Sequence, residues 1–229
     1  MLYWEEDEET PESGEPENEV VDIVYRLNCK TLPVDHAQAL ADALHQALPW
    51  LGDEEGVGIH SIHIAESGNG WYRPEGGLLQ LSKRTRLTLR IPDHRLEDAR
   101  ALHGQQLDVG GYPLGIGDSN VKKLSKLTTL FSRYMVADNV DDEAAYMEAI
   151  YKQLVDKGIK PKKMMAGKKH SIASADGVLE SRMLMLAELE LDASLRLQRE
   201  GLGPGRKLGC GIFIPHKGIE AVNKEQKNR

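Results

Sequence analysis

From Val20 to Ile116 the sequence switches repeatedly between strand and helix periodicity, and that order restricts the fold more than any single residue does. Val20–Leu27 (VVDIVYRL) alternates and is rich in β-branched side chains, the pattern of a half-buried strand. Thr31–Val34 is a short link. Asp35 is placed as the N-cap of a helix running to about Leu48, with Leu40, Leu44, Ala47 and Leu48 as its apolar stripe and Pro49 ending it. Val57–Ile64 (VGIHSIHI) reads as a second strand, residues 66–77 as a turn-rich loop, and Leu78–Ile91 as one long alternating strand. Pro92 and Asp93 introduce a short helix to about Leu102, and Gln106–Ile116 carries further strand. The order is β-α-β-β-α-β, that of a ferredoxin-like or RRM-like unit.

A second unit begins near Thr128. It has a strand at Leu130–Val136, a helix from about Asp141 to Lys157, a lysine-rich segment, a strand at Val178–Leu189 and a short helix around Ala193–Arg199. The predicted fold class is α+β: tandem ferredoxin-like domains over 20–120 and 121–219, with a C-terminal glycine-rich loop.

The net charge of −7 is unevenly placed. Nine of the 36 acidic residues, and none of the 29 basic ones, fall in residues 1–19. That proline- and acid-rich segment cannot bury enough apolar surface to order itself and predicts a disordered tail, while 220–229 predicts a flexible basic one. The remaining body is slightly basic, so nucleic acid stays within reach as a partner. Cys29 and Cys210 form neither a disulfide framework nor a zinc spacing, which predicts a reduced, cytoplasmic setting. With no apolar run near ~20 residues and no basic-then-apolar start, no membrane contact is expected.

Gly201–Lys217 (GLGPGRKLGCGIFIPHK) is the richest segment chemically. Its five glycines within residues 201–211 surround Arg206 and Lys207. Backbone amides at Gly203, Gly205, Gly209 and Gly211 would be able to approach phosphate closely, and the alternative is that the glycines only form a tight turn. No Gly-Lys-Ser/Thr closes a Walker loop, and a loop that precedes a strand at the chain's end is no dinucleotide fingerprint. Lysines cluster at Lys122, Lys123 and Lys126 in one link, and at Lys160, Lys162, Lys163, Lys168 and Lys169 in another. Arg84 and Arg86 share a strand face by alternation. These groups are candidate phosphate contacts, or else solvated surface. Trp71 and Tyr72 are candidates to stack a single base.

Three stretches carry a family resemblance. Leu32-Pro33-Val34-Asp35-His36, Arg84-Thr85-Arg86-Leu87-Thr88-Leu89-Arg90 and Gly201–Lys217 with its Phe213-Ile214-Pro215 together resemble the CRISPR-associated pre-crRNA-processing endoribonucleases, the Cas6 family of the RAMP superfamily, in its MYXAN subtype. The similarity runs from Val20 to Ile219. Leu44-His45-Gln46-Ala47-Leu48 followed by Gly56-Val57-Gly58 resembles the type I-F branch around its catalytic histidine. The arginine-rich helix of that branch is missing, since Asp141–Lys157 is mixed and partly acidic. The resemblance implies two ferredoxin-like domains that bind the stem-loop and 3′ handle of repeat RNA and stay with the backbone subunits of the effector complex (Cascade). It also implies cleavage without metal or cofactor, by the 2′-hydroxyl beside the scissile phosphate, leaving a cyclic phosphate and a 5′-hydroxyl.

Such cleavage needs a proton acceptor and a donor, for which histidine is the usual choice near neutral pH. His94, His103, His170 and His216 rank low by position. His36 and His45 fall on opposite sides of the predicted helix, His36 nearer the apolar stripe and His45 toward an open boundary. His60 and His63 have opposite parity on their strand and so point to opposite faces. Their H-x-x-H spacing lacks the further ligands of a metal site. The ranking is His45, His36, then His60, with Ser174 implied as an assisting hydroxyl by the type I-F resemblance. Two other classes stay open: a non-cleaving tandem RRM-like RNA-binding subunit, and a nucleotide-dependent enzyme, against which the missing Walker residues count.

Overall fold

The computed structural model describes residues 19–64 and 77–216. The acidic tail apart from Glu19, the Trp71–Tyr72 loop, Lys217 and the basic tail lie outside the described residues.

The chain runs β1 (Val20–Asn28), β2 (Thr31–Pro33), α1 (Ala37–Ala47), β3 (Gly58–Ile59), β4 (Leu78–Gln80), β5 (Arg86–Pro92), α2 (Leu96–Arg100), β6 (Gln106–Val109) and β7 (Tyr112–Lys123). It continues with β8 (Leu130–Val136), α3 (Glu143–Asp156), β9 (Lys163–Ser174), β10 (Gly177–Ala187), α4 (Leu191–Glu200) and β11 (Ile214–Pro215). The first sheet has the order β3-β5-β1-β7-β6, the second β11-β8-β10-β9, and β2 and β4 form a separate ribbon. Their pairings are antiparallel throughout.

Alternation sets the two faces of the first sheet. Ile23, Tyr25, Leu87, Leu89 and Ile91 turn inward against Leu40 and Leu44 of α1 and Ala99 beside them, forming one apolar core. Asp22, Val24, Thr88 and Lys122 take the opposite face. A second core joins Leu130, Met135, Leu184 and Leu186 to Tyr146, Ile150 and Leu154 of α3 and Leu197 of α4. A small third cluster of Ala37, Tyr134, Ile172 and Cys210 seals α1 against the second sheet.

Five local readings change. Lys122 and Lys123, expected in a link, end strand β7 and pair with Asp22 and Val21. Asp35 does not cap α1: His36 holds the cap position without a side-chain bond, and the Asp35 carboxylate instead accepts from Ala173 N–H at 3.2 Å. Leu78–Ile91 is two strands, because Ser82 and Thr85 close a turn between them that carries Arg84 off the strand. Only Gly58 and Ile59 of Val57–Ile64 are strand. The lysine-rich link is in fact β9, an edge strand whose exposed lysines suit an unpaired rim.

Arg90 joins the two halves. It is 1% exposed, yet its guanidinium binds the Asp22 carboxylate twice, at 2.7 and 2.9 Å. It also donates to Gln198 O at 2.8 Å and Phe213 O at 2.7 Å. Removing one partner strands a buried charge, so Arg90→Ala should lower the unfolding free energy by about 3–5 kcal/mol in chemical denaturation. Asp22→Ala combined with it should cost clearly less than the two separate losses added together.

Candidate nucleic-acid interface

A cleft of about 610 Å³ opens where the sheets meet. Its floor is the open face of the first sheet, with Asp22, Val24, Arg86, Thr88 and Lys122. Lys123, the turn residue Arg84, His60 and His63 rim it on the same half; Arg133, Ile214 and Pro215 come from the second sheet. Asp22 is the acidic residue of this lining. Burial works to raise its pKa, but the hydrogen bond and charge of Arg90 outweigh that and hold it below the usual carboxylate value. Five cationic side chains therefore face a cleft whose carboxylate is already neutralised, and the field there favours polyanions.

The structure gathers Arg84, Arg86, Lys122 and Lys123 around this cleft. Lys162, Lys163, Lys168 and Lys169 lie exposed at or along β9, with Lys163 paired to Glu188 and Lys169 to Asp141. Ser174 ends β9 and donates to Gly177 O at 2.8 Å within the hairpin turn. None of these β9 residues lines the cleft.

The ranked histidines are more enclosed than alternation and helix phase imply. His36 is 4% exposed, its Nδ1 lies 2.9 Å from Pro33 O, and its Nε2 accepts from Ile62 N–H at 3.0 Å. An imidazole held this way has no lone pair left for a substrate proton. His45 is half-buried with its Nε2 shielded, and it does not line the cleft. His60 and His63 do not point to opposite faces. The chain leaves β5 after His60 N–H bonds Thr88 O, the alternation ends, and both side chains reach the one cleft. His60 sits 3.7 Å from Asp22, and burial together with the Arg90 charge pushes its pKa down to about 3. Among the described residues no group of three metal-binding side chains forms around this pair.

The glycine loop is turned inward. Gly201, Gly203, Gly205, Gly209 and Gly211 all have positive φ. A β-carbon on Gly211 would overlap Leu202 O, and one on Gly209 would overlap Ser61 Oγ. Gly211 N–H donates to Tyr134 O at 2.7 Å, and Gly209 N–H to Arg206 O at 3.2 Å. The amides of Gly209 and Gly211, expected to reach outward to phosphate, are thus taken up inside the protein, where the loop packs the two halves together. Arg206 is likewise enclosed: its guanidinium nitrogens are buried without a hydrogen-bond partner among the described residues, and burial lowers its pKa to about 10. Lys207 donates to Gly52 O.

Sequence reasoning passed over Arg133, which lines the cleft. Arg133 stands 5.0 Å over the Phe131 ring, and burial lowers its pKa to about 10. His63 and His170 flank the ring of Tyr134, with centroids 5.8 and 5.3 Å away. Only the pairing of distant segments places these groups together, and no spacing in the chain announces it.

An α+β protein with two antiparallel sheets meeting at a basic cleft is the class this geometry defines. Within that class the chain belongs to the Cas6 family, whose model, described as Cas6 Crispr, matches residues 21–218. A curated relative from Myxococcus xanthus (strain DK1622), the CRISPR-associated endonuclease Cas6, is 27% identical over 195 residues, covering 85% of this chain and 81% of that one. Solved structures share the fold. A CRISPR-associated protein Cas6 superposes with a TM-score of 0.62 at 12% identity, over 87% of this chain and 100% of the other. A Cas6-related protein from Pyrococcus furiosus gives 0.54 at 12% identity, over 85% and 97%. An RAMP protein described as binding different RNA substrates gives 0.55 at 14% identity, over 86% and 100%. Among the described residues no helix is long and apolar enough to cross a membrane.

Two measurements check the site. Gly211→Ala combines a left-handed backbone with a backbone clash, so it should cost at least about 2 kcal/mol and visibly lower the melting midpoint. An unchanged midpoint would return the loop to the role of an open cradle. His60 stays neutral in the folded protein down to about pH 3 but takes a proton in the unfolded chain below its ordinary value of 6.5. Stability therefore falls as pH drops below 6.5. His60→Asn should make that fall shallower between pH 7 and pH 5 in denaturant titrations.

Proposed function

We propose that the protein is a CRISPR repeat-RNA endoribonuclease built from two ferredoxin-like halves, 20–120 and 121–219, with the RNA backbone held in the cleft between them. The strand orders support the two halves. Taking each β-α-β-β-α-β unit in turn, β1, β3, β5 and β7 lie in the order fourth-first-third-second, and so do β8, β9, β10 and β11. The observation that carries the RNA reading is the convergence of Arg84, Arg86, Lys122, Lys123 and Arg133 on one cleft whose carboxylate is already paired.

The reaction that suits this setting is internal transfer. A base removes the 2′-hydroxyl proton, the 2′-oxygen bonds to phosphorus, the bond to the 5′-oxygen breaks, and an acid protonates that oxygen. The products are a 2′,3′-cyclic phosphate and a 5′-hydroxyl. Guanidinium and ammonium groups already placed at the cleft offset the negative charge the phosphate develops, so no metal is required in this scheme. The exposed lysines on β9 extend the cationic surface and suit the duplex stem of a repeat, where shape and backbone are read. The cleaved RNA remains bound and is carried into the effector complex with its backbone subunits.

Labelled repeat RNA in excess EDTA tests the reading. Cutting should persist, and a single 2′-deoxy substitution before the cut should abolish it while binding is kept. Normal cutting of the deoxy substrate would rule the mechanism out, and binding without cutting of the all-ribo repeat would leave a non-cleaving RNA-binding subunit. Each phosphate contact contributes roughly 0.7–0.9 to the slope of log affinity against log salt. Arg84→Ala and Lys122→Ala should each flatten that slope by about this amount, and slopes equal to the unmodified protein's would remove the cleft as the RNA seat.

A further inference from the structure

The chain enters its first sheet beside the cleft. Val20 and Val21 open the central strand β1, where Val20 pairs with Pro92 and Val21 with Lys123. Glu19, one residue earlier, is fixed through its backbone, since Glu19 O accepts from Asp93 N–H at 2.7 Å. Its carboxylate lies 3.4 Å from the Lys123 ammonium, and Lys123 lines the basic cleft together with Lys122. The residue at which the acidic segment meets the folded body therefore already sets a carboxylate on a cation of the cleft.

The residues before it multiply that charge. Residues 1–18 hold eight further carboxylates and no lysine or arginine. Glu17, Glu15 and Glu12 stand two, four and seven residues before Glu19, and the run Glu5-Glu6-Asp7-Glu8-Glu9 stands ten to fourteen before it. At ~3.3–3.6 Å per residue that run has a reach of roughly 33–50 Å from Glu19, so the chain is long enough to lay these acids along the cleft. Charge decides where they go. Arg84, Arg86, Lys122, Lys123 and Arg133 converge on the cleft, and its carboxylate, Asp22, is bound by Arg90. The other groove beside Val20 is a poor host. It presents Asp53, Glu54, Glu55 and Glu200, and Glu54 and Glu200 already engage its Arg95 and Lys157. The lysines of β9 lie at the edge of the second sheet opposite β11, with Lys163 and Lys169 paired to Glu188 and Asp141. A tethered polyanion that starts between an acidic groove and a basic cleft is drawn to the cleft.

We propose that the acidic segment of residues 5–17 docks in the basic cleft of its own chain and is displaced when RNA binds, so that it sets the affinity a strand needs to enter. The proposal rests on the cleft being the RNA seat, as read above. Carboxylates take the places that phosphates would fill. Each contact is an exposed ion pair of small worth, as at Glu19 and the 74% exposed Lys123, so no single acid holds the segment. Tethering supplies what single pairs lack. A linked segment acts at an effective concentration of about a millimolar, and RNA must compete against that concentration. The penalty falls on every strand alike. A repeat that also meets the cationic β9 surface keeps enough affinity to displace the segment, whereas a strand held by a few phosphates does not.

Two measurements on full-length protein test the docking. The first compares the unmodified protein with a variant carrying Glu5→Gln, Glu6→Gln, Asp7→Asn, Glu8→Gln and Glu9→Gln together. At about 0.05 M salt the variant should bind labelled repeat RNA at least about 3-fold more tightly, and the gain should vanish by about 0.5 M, where charges are screened within a few ångströms. A mere change of net charge would act in the same direction, so contact is read directly by the second. A water-soluble carbodiimide, which joins carboxylates to amines in contact, is applied to dilute unmodified protein. Lys122 or Lys123 should become linked to acids within residues 5–17, and repeat RNA should suppress the links. Docking is overturned if those lysines join Glu19 alone, if the segment joins the lysines of β9, or if the links run between two chains. A variant with no gain in affinity at low salt overturns the competition. Failure of both proteins to bind RNA would sink the reading of the cleft, while the cross-links still decide whether the segment docks there.

Discussion

The placement of the whole cleft depends on one buried guanidinium. Arg90 ties β1 through Asp22, α4 through Gln198 O, and the chain entering β11 through Phe213 O. Taking an arginine and a carboxylate out of water is expensive, and an apolar pair of the same volume would be at least as stable. What the ion pair adds is direction. A hydrophobic contact at the seam would tolerate sliding, whereas a planar fork with four fixed acceptors does not. Because Asp22 and Lys122 are cross-strand neighbours, and Asp22 and Arg90 likewise, fixing Arg90 also fixes the floor of the cleft.

The glycine-rich loop shows how a binding signature and a folding element can be the same residues. Phosphate-cradling loops and tight internal turns both need positive φ and missing β-carbons, so composition cannot separate them. Here the collisions that side chains would cause are with the protein itself, at Leu202, Ser61 and Met135. The loop reaches the first half at Ser61 and the second at Tyr134, and so reinforces the seam that Arg90 directs. Arg206 within it is drawn into the same interior rather than outward to a ligand.

Element order was legible because it rests on periodicity, which tolerates local error. Leu130–Val136 was read to the residue, and α3 to within two residues at its start. Asp142 rather than an earlier residue starts that helix, by accepting from Ala144 and Ala145 N–H. What failed were features decided by partners far along the chain. Asp35 has the chemistry of a cap, but the edge of β9 offers its carboxylate a competing donor. β9 itself resembles a link because lysine, methionine and glycine weaken the strand signal. Its pairing with β10 from Lys163 to Ser174 overrides that weakness.

The candidate site was hidden for the same reason, in stronger form. A motif is readable when its members ride one element at a fixed spacing, as His36 and His45 do on and beside α1. Of those two, His36 has both ring nitrogens engaged and His45 has its Nε2 shielded. His60 and His63 were misjudged because strand parity was extended past Ile59, where pairing with β5 stops. Arg133 lies on β8 of the other half, and it joins the cleft only once the two halves are docked. In a chain whose two halves meet at a seam, chemistry at the seam draws on both, and helical or strand periodicity describes each contributor alone. The residues that sequence reasoning can pair are thus those within one half, while a site between halves becomes visible only through the contacts, from Arg90 to Tyr134, that hold them together.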